Sequence, residues 1–171
     1  PDIPITYSEL VSGSANYSSE LQQKGILPGH VVIIILEHSL DLIFSYFGIL
    51  FNGCIPSIMP FLTEKLRPEK YRKDVEALIR IARPAAIITY KEFKQEISLF
   101  INESSPVRTV IFSEDVDKAE NRGDLKNWDL PGNGRHPDSI VLLQHSSGTT
   151  GLQKGVALSH RAVFNQIDSY R

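Results

Sequence analysis

Residues 31–36 read VVIIIL, and this run is the strongest indication of the fold in the sequence. Five of its six residues are β-branched, and β-branched side chains favour strands. The apolar residues also follow one another without the alternation of a half-exposed strand, which is typical of a strand buried on both faces. The run therefore predicts a central strand of a sheet that helices cover on both sides.

Signals for helices flank this strand. Thr6 and Glu9 have the spacing of a capping box, and apolar residues recur after them at helical spacing, so we predict a helix over 7–24. After the strand, Ser39 is a suitable N-cap for a second helix over 40–52. Its apolar run LIFSYFGILF is shorter than the roughly 18 residues that indicate a membrane span, so no integral membrane segment is predicted.

The remainder of the chain repeats this alternation of strands and helices. Four more apolar runs predict strands: IPSIM at 55–59, AAIITY at 85–90, VRTVIF at 107–112 and SIVLLQ at 139–144. Helices are predicted where Val75, Leu78, Ile79 and Ala82 share one face, over 91–101, and from about Ser159 onward. A polar loop is predicted over 113–137. Together these elements predict an α/β fold, a mainly parallel sheet with helices on both faces.

Size and composition agree with a single globular domain. The chain has 171 residues and a net charge of −2, so nothing indicates a nucleic-acid partner. The one cysteine, Cys54, lies in an apolar stretch and has no partner for an internal disulfide, which favours a cytoplasmic location. No CxxC or HExxH pattern occurs, so no residue is predicted to bind a metal.

The stretch SSGTTGLQKG at 146–155 lies just beyond the fifth predicted strand. Its glycines let backbone N–H groups converge on an anion, its hydroxyls add donors, and Lys154 adds a positive charge suited to phosphate. Composition alone favours a flexible surface loop, whereas the position favours a ligand site, because open α/β sheets bind ligands beyond the carboxyl ends of their strands. Neither GxxxxGK[ST] nor GxGxxG fits the glycine spacing.

What the stretch does resemble is the phosphate loop of the adenylate-forming superfamily. SSGTTGLQKGV at 146–156 is similar to that family's T/S-S-G-T/S-T-G-x-P-K-G-V, with Gln153 where the family normally has proline. ITYSEL at 5–10 and ALSHRAV at 157–163 resemble segments before and after the loop. Two other departures are His30, where the family usually has aspartate, and the long charged segment 63–83, which favours the fatty-acyl members.

The resemblance implies a reaction and a set of site residues. Members activate a carboxylic acid with ATP, releasing pyrophosphate and forming an acyl-adenylate, and many pass the acyl group to a thiol of CoA or of a phosphopantetheine acyl carrier protein. Mg²⁺ would share the phosphate charge. Lys154 and Thr150 are implied to be catalytic, since such a step depends on stabilising charge. The residues implied to bind the phosphates of ATP are Ser146, Ser147, Gly148, Thr149, Thr150, Gly151 and Lys154.

The resemblance also implies a domain organisation. Residues 1–171 are similar to the N-terminal part of the large adenylating domain, and the family's other functional segments follow the phosphate loop. We therefore expect the chain to be a fragment that does not adenylate alone. Two alternatives stay open: an amino-acid or aryl-acid adenylating enzyme, or a non-catalytic nucleotide- or anion-binding domain in which Gln153 marks lost function.

Two histidines lie close to the implied site. His145 directly precedes the loop, and a strand-end histidine that packs locally is favoured over one that touches the ligand. His160 follows Ser159, a possible helix cap, and is assigned a structural role in the first turn of that helix.

Overall fold

A computed structural model of the protein describes residues 4–62, 67–102, 104–117, 130–146 and 154–170. Five α-helices lie in this part of the chain: α1 (Tyr7–Gln23), α2 (Leu40–Phe51), α3 (Pro68–Ala82), α4 (Lys94–Ser98) and α5 (His160–Asp168). Its six strands are β1 (Val31–Ile35), β2 (Ile55–Ile58), β3 (Ala86–Thr89), β4 (Thr109–Phe112), β5 (Ile140–Ser146) and β6 (Lys154–Ser159). Short 3₁₀ helices cover Lys91–Phe93, Ser113–Asp115 and Pro131–Gly134.

The six strands form one sheet in the order β4-β3-β1-β2-β5-β6. The pairs β1–β2, β1–β3, β3–β4 and β2–β5 are parallel, and β5–β6 is antiparallel. The predicted α/β class with a mainly parallel sheet is therefore confirmed. The antiparallel strand β6 is an addition that the sequence reasoning did not predict.

The VVIIIL run is the centre of the sheet. Val32 and Ile34 face one hydrophobic cluster, and Ile33 and Ile35 face the other, all with no exposed surface. The first cluster includes Tyr17 and other residues of α1 and α2, and the second includes side chains of α3 and α4. Burial on both faces explains why this strand shows no polar alternation.

Two capping predictions for the first pair of helices are confirmed. The Thr6 hydroxyl accepts a hydrogen bond from the backbone N–H of Glu9, and the Glu9 side chain accepts from the backbone N–H of Thr6. The Ser39 hydroxyl accepts from the Leu42 N–H at the start of α2. The two helices also approach closely at Gly48, where a Cβ atom would lie 2.5 Å from the Ser14 carbonyl oxygen.

The helix predicted over 91–101 is shorter than expected. The chain forms a 3₁₀ turn over Lys91–Phe93 and then only the five residues of α4. Bonds of the i to i+3 type end the helix, with the N–H of Phe100 donating to the Ile97 carbonyl at 3.0 Å. The tighter turns still leave Phe93, Ile97 and Phe100 buried in the second cluster. The apolar spacing predicted the buried face correctly, although it did not predict the helix length.

Candidate functional site

The candidate site lies at one edge of the sheet. Because β1 to β5 are parallel, their carboxyl ends lie at the same edge, and the antiparallel β6 begins there. The positions that follow these strands include Leu36, Met59, Tyr90 and Ser113. In open α/β sheets ligands bind in the crevice beyond this edge.

The register of β5 and β6 brings the two ends of the predicted phosphate loop together. Ser146 pairs with Lys154, and His145 pairs with Gly155. Ser146 ends β5 and Lys154 begins β6, with seven sequence positions between them.

Most of the predicted phosphate-binding residues fall between these two ends. Ser147, Gly148, Thr149, Thr150 and Gly151 lie outside the described residues. Ser146 and Lys154 are described as paired backbone positions. The binding of phosphate by the seven predicted site residues therefore stays a prediction.

His145 makes a side-chain contact across strands that sequence reasoning did not identify. Its Nε2 lies 2.8 Å from the hydroxyl oxygen of Ser57 in β2. Ser57 has no exposed surface, and partial burial holds the pKa of His145 below its usual value, so the imidazole is neutral near pH 7. The signal in the sequence was a serine inside the apolar run IPSIM, because a buried hydroxyl requires a partner.

A second polar network lies where β1 and β3 end. The Tyr17 hydroxyl donates to Asp41 Oδ1 at 2.9 Å, and the hydroxyls of Ser39 and Tyr90 are 3.3 Å apart. Burial raises the pKa of Tyr17 far above neutrality, so this phenol stays protonated. The network ties the starts of α2 and of the segment after β3 to the core.

Beyond β6, the structure matches the predicted helix start. The Ser159 hydroxyl accepts from the Ala162 N–H, and His160 is the first residue of α5, as predicted. Arg161 forms a bidentate ion pair with Asp138, with N–O distances of 2.6 and 3.2 Å. A surface cavity of about 380 Å³ lies beside this pair, lined in part by Arg135 and Phe164.

Three further observations on the described part of the chain concern Cys54, potential metal ligands and the length of apolar helices. Cys54 is buried, and burial raises the pKa of its thiol to about 11, so it is protonated at neutral pH. No group of three or more potential metal ligands occurs among the described residues. None of the described helices is long and apolar enough to span a bilayer.

With the sheet and the two strand ends at Ser146 and Lys154 described, comparison with known proteins identifies the family. The family described as AMP-binding enzyme matches residues 2–171. The chain belongs to this family, which confirms the resemblance to the adenylate-forming superfamily that the SSGTTGLQKGV stretch indicated.

Curated relatives include 4-coumarate–CoA ligases of plants. The chain is 31% identical over 167 residues to 4-coumarate–CoA ligase 3 of Oryza sativa subsp. japonica, covering 95% of this chain and 28% of the relative. It is 27% identical over 164 residues to 4-coumarate–CoA ligase 2 of Nicotiana tabacum, covering 95% and 29%. The chain thus spans less than a third of the length of these relatives.

Solved structures share the fold. A fatty acyl-adenylate ligase from L. pneumophila, in complex with acyl adenylate and pyrophosphate, aligns with a TM-score of 0.74 at 22% identity, covering 96% of this chain and 26% of that one. The McyG A-PCP structure complexed with phenylalanyl-adenylate aligns with a TM-score of 0.77 at 25% identity, covering 97% and 25%. These alignments agree with the mixed, mostly parallel sheet described above.

Proposed function

We propose that the protein is an AMP-forming acid–thiol ligase, and that this chain supplies its phosphate-binding loop. The observation that carries the proposal is the register of β5 and β6, which brings Ser146 and Lys154 together at the carboxyl edge of the parallel strands. The hydroxyl- and glycine-rich positions lie between those two residues in the sequence. Membership of the AMP-binding enzyme family supports ATP as the substrate held there.

The proposed chemistry has two steps. A carboxylate oxygen attacks the α-phosphorus of ATP, and pyrophosphate leaves to give an acyl-adenylate. A thiol then attacks the acyl carbonyl carbon, and AMP leaves to give a thioester. The first step brings two anions together, so it requires donors and positive charge around the departing pyrophosphate.

In this proposal the loop supplies those groups. Ser146, Ser147, Thr149 and Thr150 donate hydroxyl hydrogen bonds, backbone N–H groups at Gly148 and Gly151 point at the phosphates, and Lys154 contributes a full positive charge. Mg²⁺ bound to the phosphates would neutralise further charge. Residues 1–171 are proposed to form the first part of the adenylating domain.

The acid and the acceptor are proposed in order of support. A fatty acid is the first candidate, from the resemblance to fatty-acyl members. An aryl acid is the second, because the curated relatives are 4-coumarate–CoA ligases. The same relatives support CoA as the acceptor, whereas the McyG A-PCP structure supports a carrier-protein thiol as the alternative.

The test is ATP–pyrophosphate exchange by the full-length protein with a panel of fatty, hydroxycinnamic and amino acids. Exchange should require one class of acid. Lys154→Ala and Thr150→Ala should each lower it by about 10²-fold or more, the scale for losing one preorganised stabiliser of developing charge. Lys24→Ala is the matched control, since Lys24 is an exposed lysine paired with Glu20 on α1.

Two results would contradict the proposal in different ways. Normal exchange by Lys154→Ala would refute the phosphate-binding assignment. ATP binding by the wild-type protein without exchange on any acid would instead favour a non-catalytic nucleotide-binding domain.

A further inference from the structure

We propose that His145 is a positioning residue for the phosphate loop, and that its hydrogen bond to Ser57 fixes the strand end from which the loop leaves the sheet. The inference rests on the proposed function, because it concerns the geometry of the same loop. It adds two residues, one on β2 and one on β5, that the loop motif does not include.

The first support is the place of His145 in the register. It lies one residue before the end of β5 and pairs with Gly155, the second residue of β6. A Cβ atom on Gly155 would lie 3.5 Å from Cε1 of the His145 ring, so the ring lies over this glycine. The His145 side chain on β5 therefore lies beside β6, and its hydrogen bond to Ser57 connects it to β2.

The second support is the short run of paired positions between β2 and β5. Within the described ranges, β2 and β5 are in register at a single pair, Ser57 with Leu143. By contrast, β1–β2 and β3–β4 are each in register at four pairs. His145 lies two residues beyond Leu143, toward the loop. Its 2.8 Å hydrogen bond with Ser57 therefore connects β2 and β5 beyond their last paired position.

The third support is the chemistry of the two groups. Ser57 has no exposed surface, so its hydroxyl would lose its solvent partners without replacement if the bond to His145 were absent. A neutral imidazole can donate to the hydroxyl through Nε2–H or accept from it at Nε2. Complete burial also excludes Ser57 as a nucleophile, since no substrate carbonyl can reach it. The pair therefore positions rather than reacts.

The experiment uses four single variants of the full-length protein and one double variant. Ser57→Ala and His145→Ala should each raise the KM for ATP about tenfold, the equivalent of one lost hydrogen bond, while the KM for the acid stays unchanged. The double variant should be no worse than either single variant, because both remove the same bond. His145→Gln retains a side-chain amide that can reach Ser57, and should restore most of the affinity.

Ser45→Ala is the matched control for a merely structural effect. Ser45 is also a serine with no exposed surface, and its hydroxyl donates to the Leu42 carbonyl at 3.0 Å within α2, away from the loop. Ser45→Ala should lower the free energy of unfolding by about as much as Ser57→Ala does, and should leave the KM for ATP unchanged. If Ser57→Ala raises this KM no more than Ser45→Ala does, or if the effects of Ser57→Ala and His145→Ala add, the inference is wrong.

A second readout does not depend on turnover. Amide hydrogen exchange over 140–159 should be faster in Ser57→Ala and His145→Ala than in wild type, and unchanged in Ser45→Ala. Absence of ATP–pyrophosphate exchange by the wild-type enzyme would refute the proposed function. Unchanged amide hydrogen exchange in Ser57→Ala would instead refute the positioning of the strand end by this bond.

Discussion

Helices α3 and α5 are both amphipathic, but their apolar faces are buried to different extents. In α3 the apolar face is covered: Tyr71, Val75, Leu78 and Ile79 are all buried against the sheet. Among the residues that the structure describes, none in α5 is buried, and Phe164 is 63% and Ile167 47% exposed. The comparison shows that an apolar stripe predicts which face of a helix is suited to burial, whereas the neighbouring elements decide whether that face is buried.

The two helices also share a polar feature. Each carries an arginine in a bidentate ion pair: Arg72 of α3 pairs with Glu96, and Arg161 of α5 pairs with Asp138. The ion pairs are alike, whereas the burial of the apolar faces and the helix caps differ. Three predictions test these differences, in order of expected effect.

The largest difference should come from truncating one apolar side chain in each helix. Leu78→Ala in α3 removes a side chain that is 3% exposed, and should lower the free energy of unfolding by about 2–5 kcal/mol. Phe164→Ala in α5 should change it by no more than about 0.5 kcal/mol, because that ring is mostly in solvent. Urea unfolding of both variants measures the two values. Equal losses would mean that Phe164 is as well covered in the protein as Leu78.

A smaller effect should come from the helix caps. Ser159 caps α5, whereas the N-cap of α3 is Arg67, which makes no side-chain capping bond. Ser159→Ala should destabilise α5 by about 1 kcal/mol. Since no residue of α5 is buried against the described part of the chain, we expect local fraying, seen as faster amide exchange over 160–168 with an unchanged urea midpoint. A shifted midpoint would show that α5 unfolds together with the sheet.

The smallest effect should be the pH dependence of the two ion pairs. The hydrogen bonds from the arginines hold the pKa of Glu96 and of Asp138 below their ordinary values of 4.5 and 3.8. A lowered folded-state pKa means that the pair stabilises the fold above the unfolded pKa and loses this contribution as pH falls through the folded one.

Glu96→Gln should therefore flatten the loss of global stability below about pH 4.5. Asp138→Asn should flatten only the acid-induced fraying of α5, which amide exchange over 160–168 measures, and this effect should fade with added salt. Acid titration of urea stability in both variants checks the contrast, and a larger global change in Asp138→Asn would contradict it.

Much of the fold could be predicted from local signals. The VVIIIL run predicted a strand buried on both faces, Thr6, Ser39 and Ser159 predicted caps that the structure contains, and the alternation of elements predicted the α/β class. These signals succeed because they depend on side chains near in sequence: β-branching, capping hydroxyls and the spacing of apolar residues.

The candidate site was predicted from the resemblance of 146–156 to the phosphate loop of the adenylate-forming superfamily. The binding of phosphate by its residues stays a prediction. The strand β6 was missed because it begins within that motif, where Lys154 and Gly155 were assigned to the loop. The partnership of Ser57 with His145 was missed because the two residues are far apart in sequence.

By itself, the sequence determined most of the elements, three of the helix caps and the residues of the phosphate-loop motif, since each depends on the chemistry of neighbouring residues. Only the tertiary structure decided the strand order, the antiparallel pairing of β6, the bond from β2 to β5 and the unequal burial of α3 and α5. The physical reason is that burial and cross-strand hydrogen bonds are properties of pairs of elements, so no single stretch of sequence specifies them.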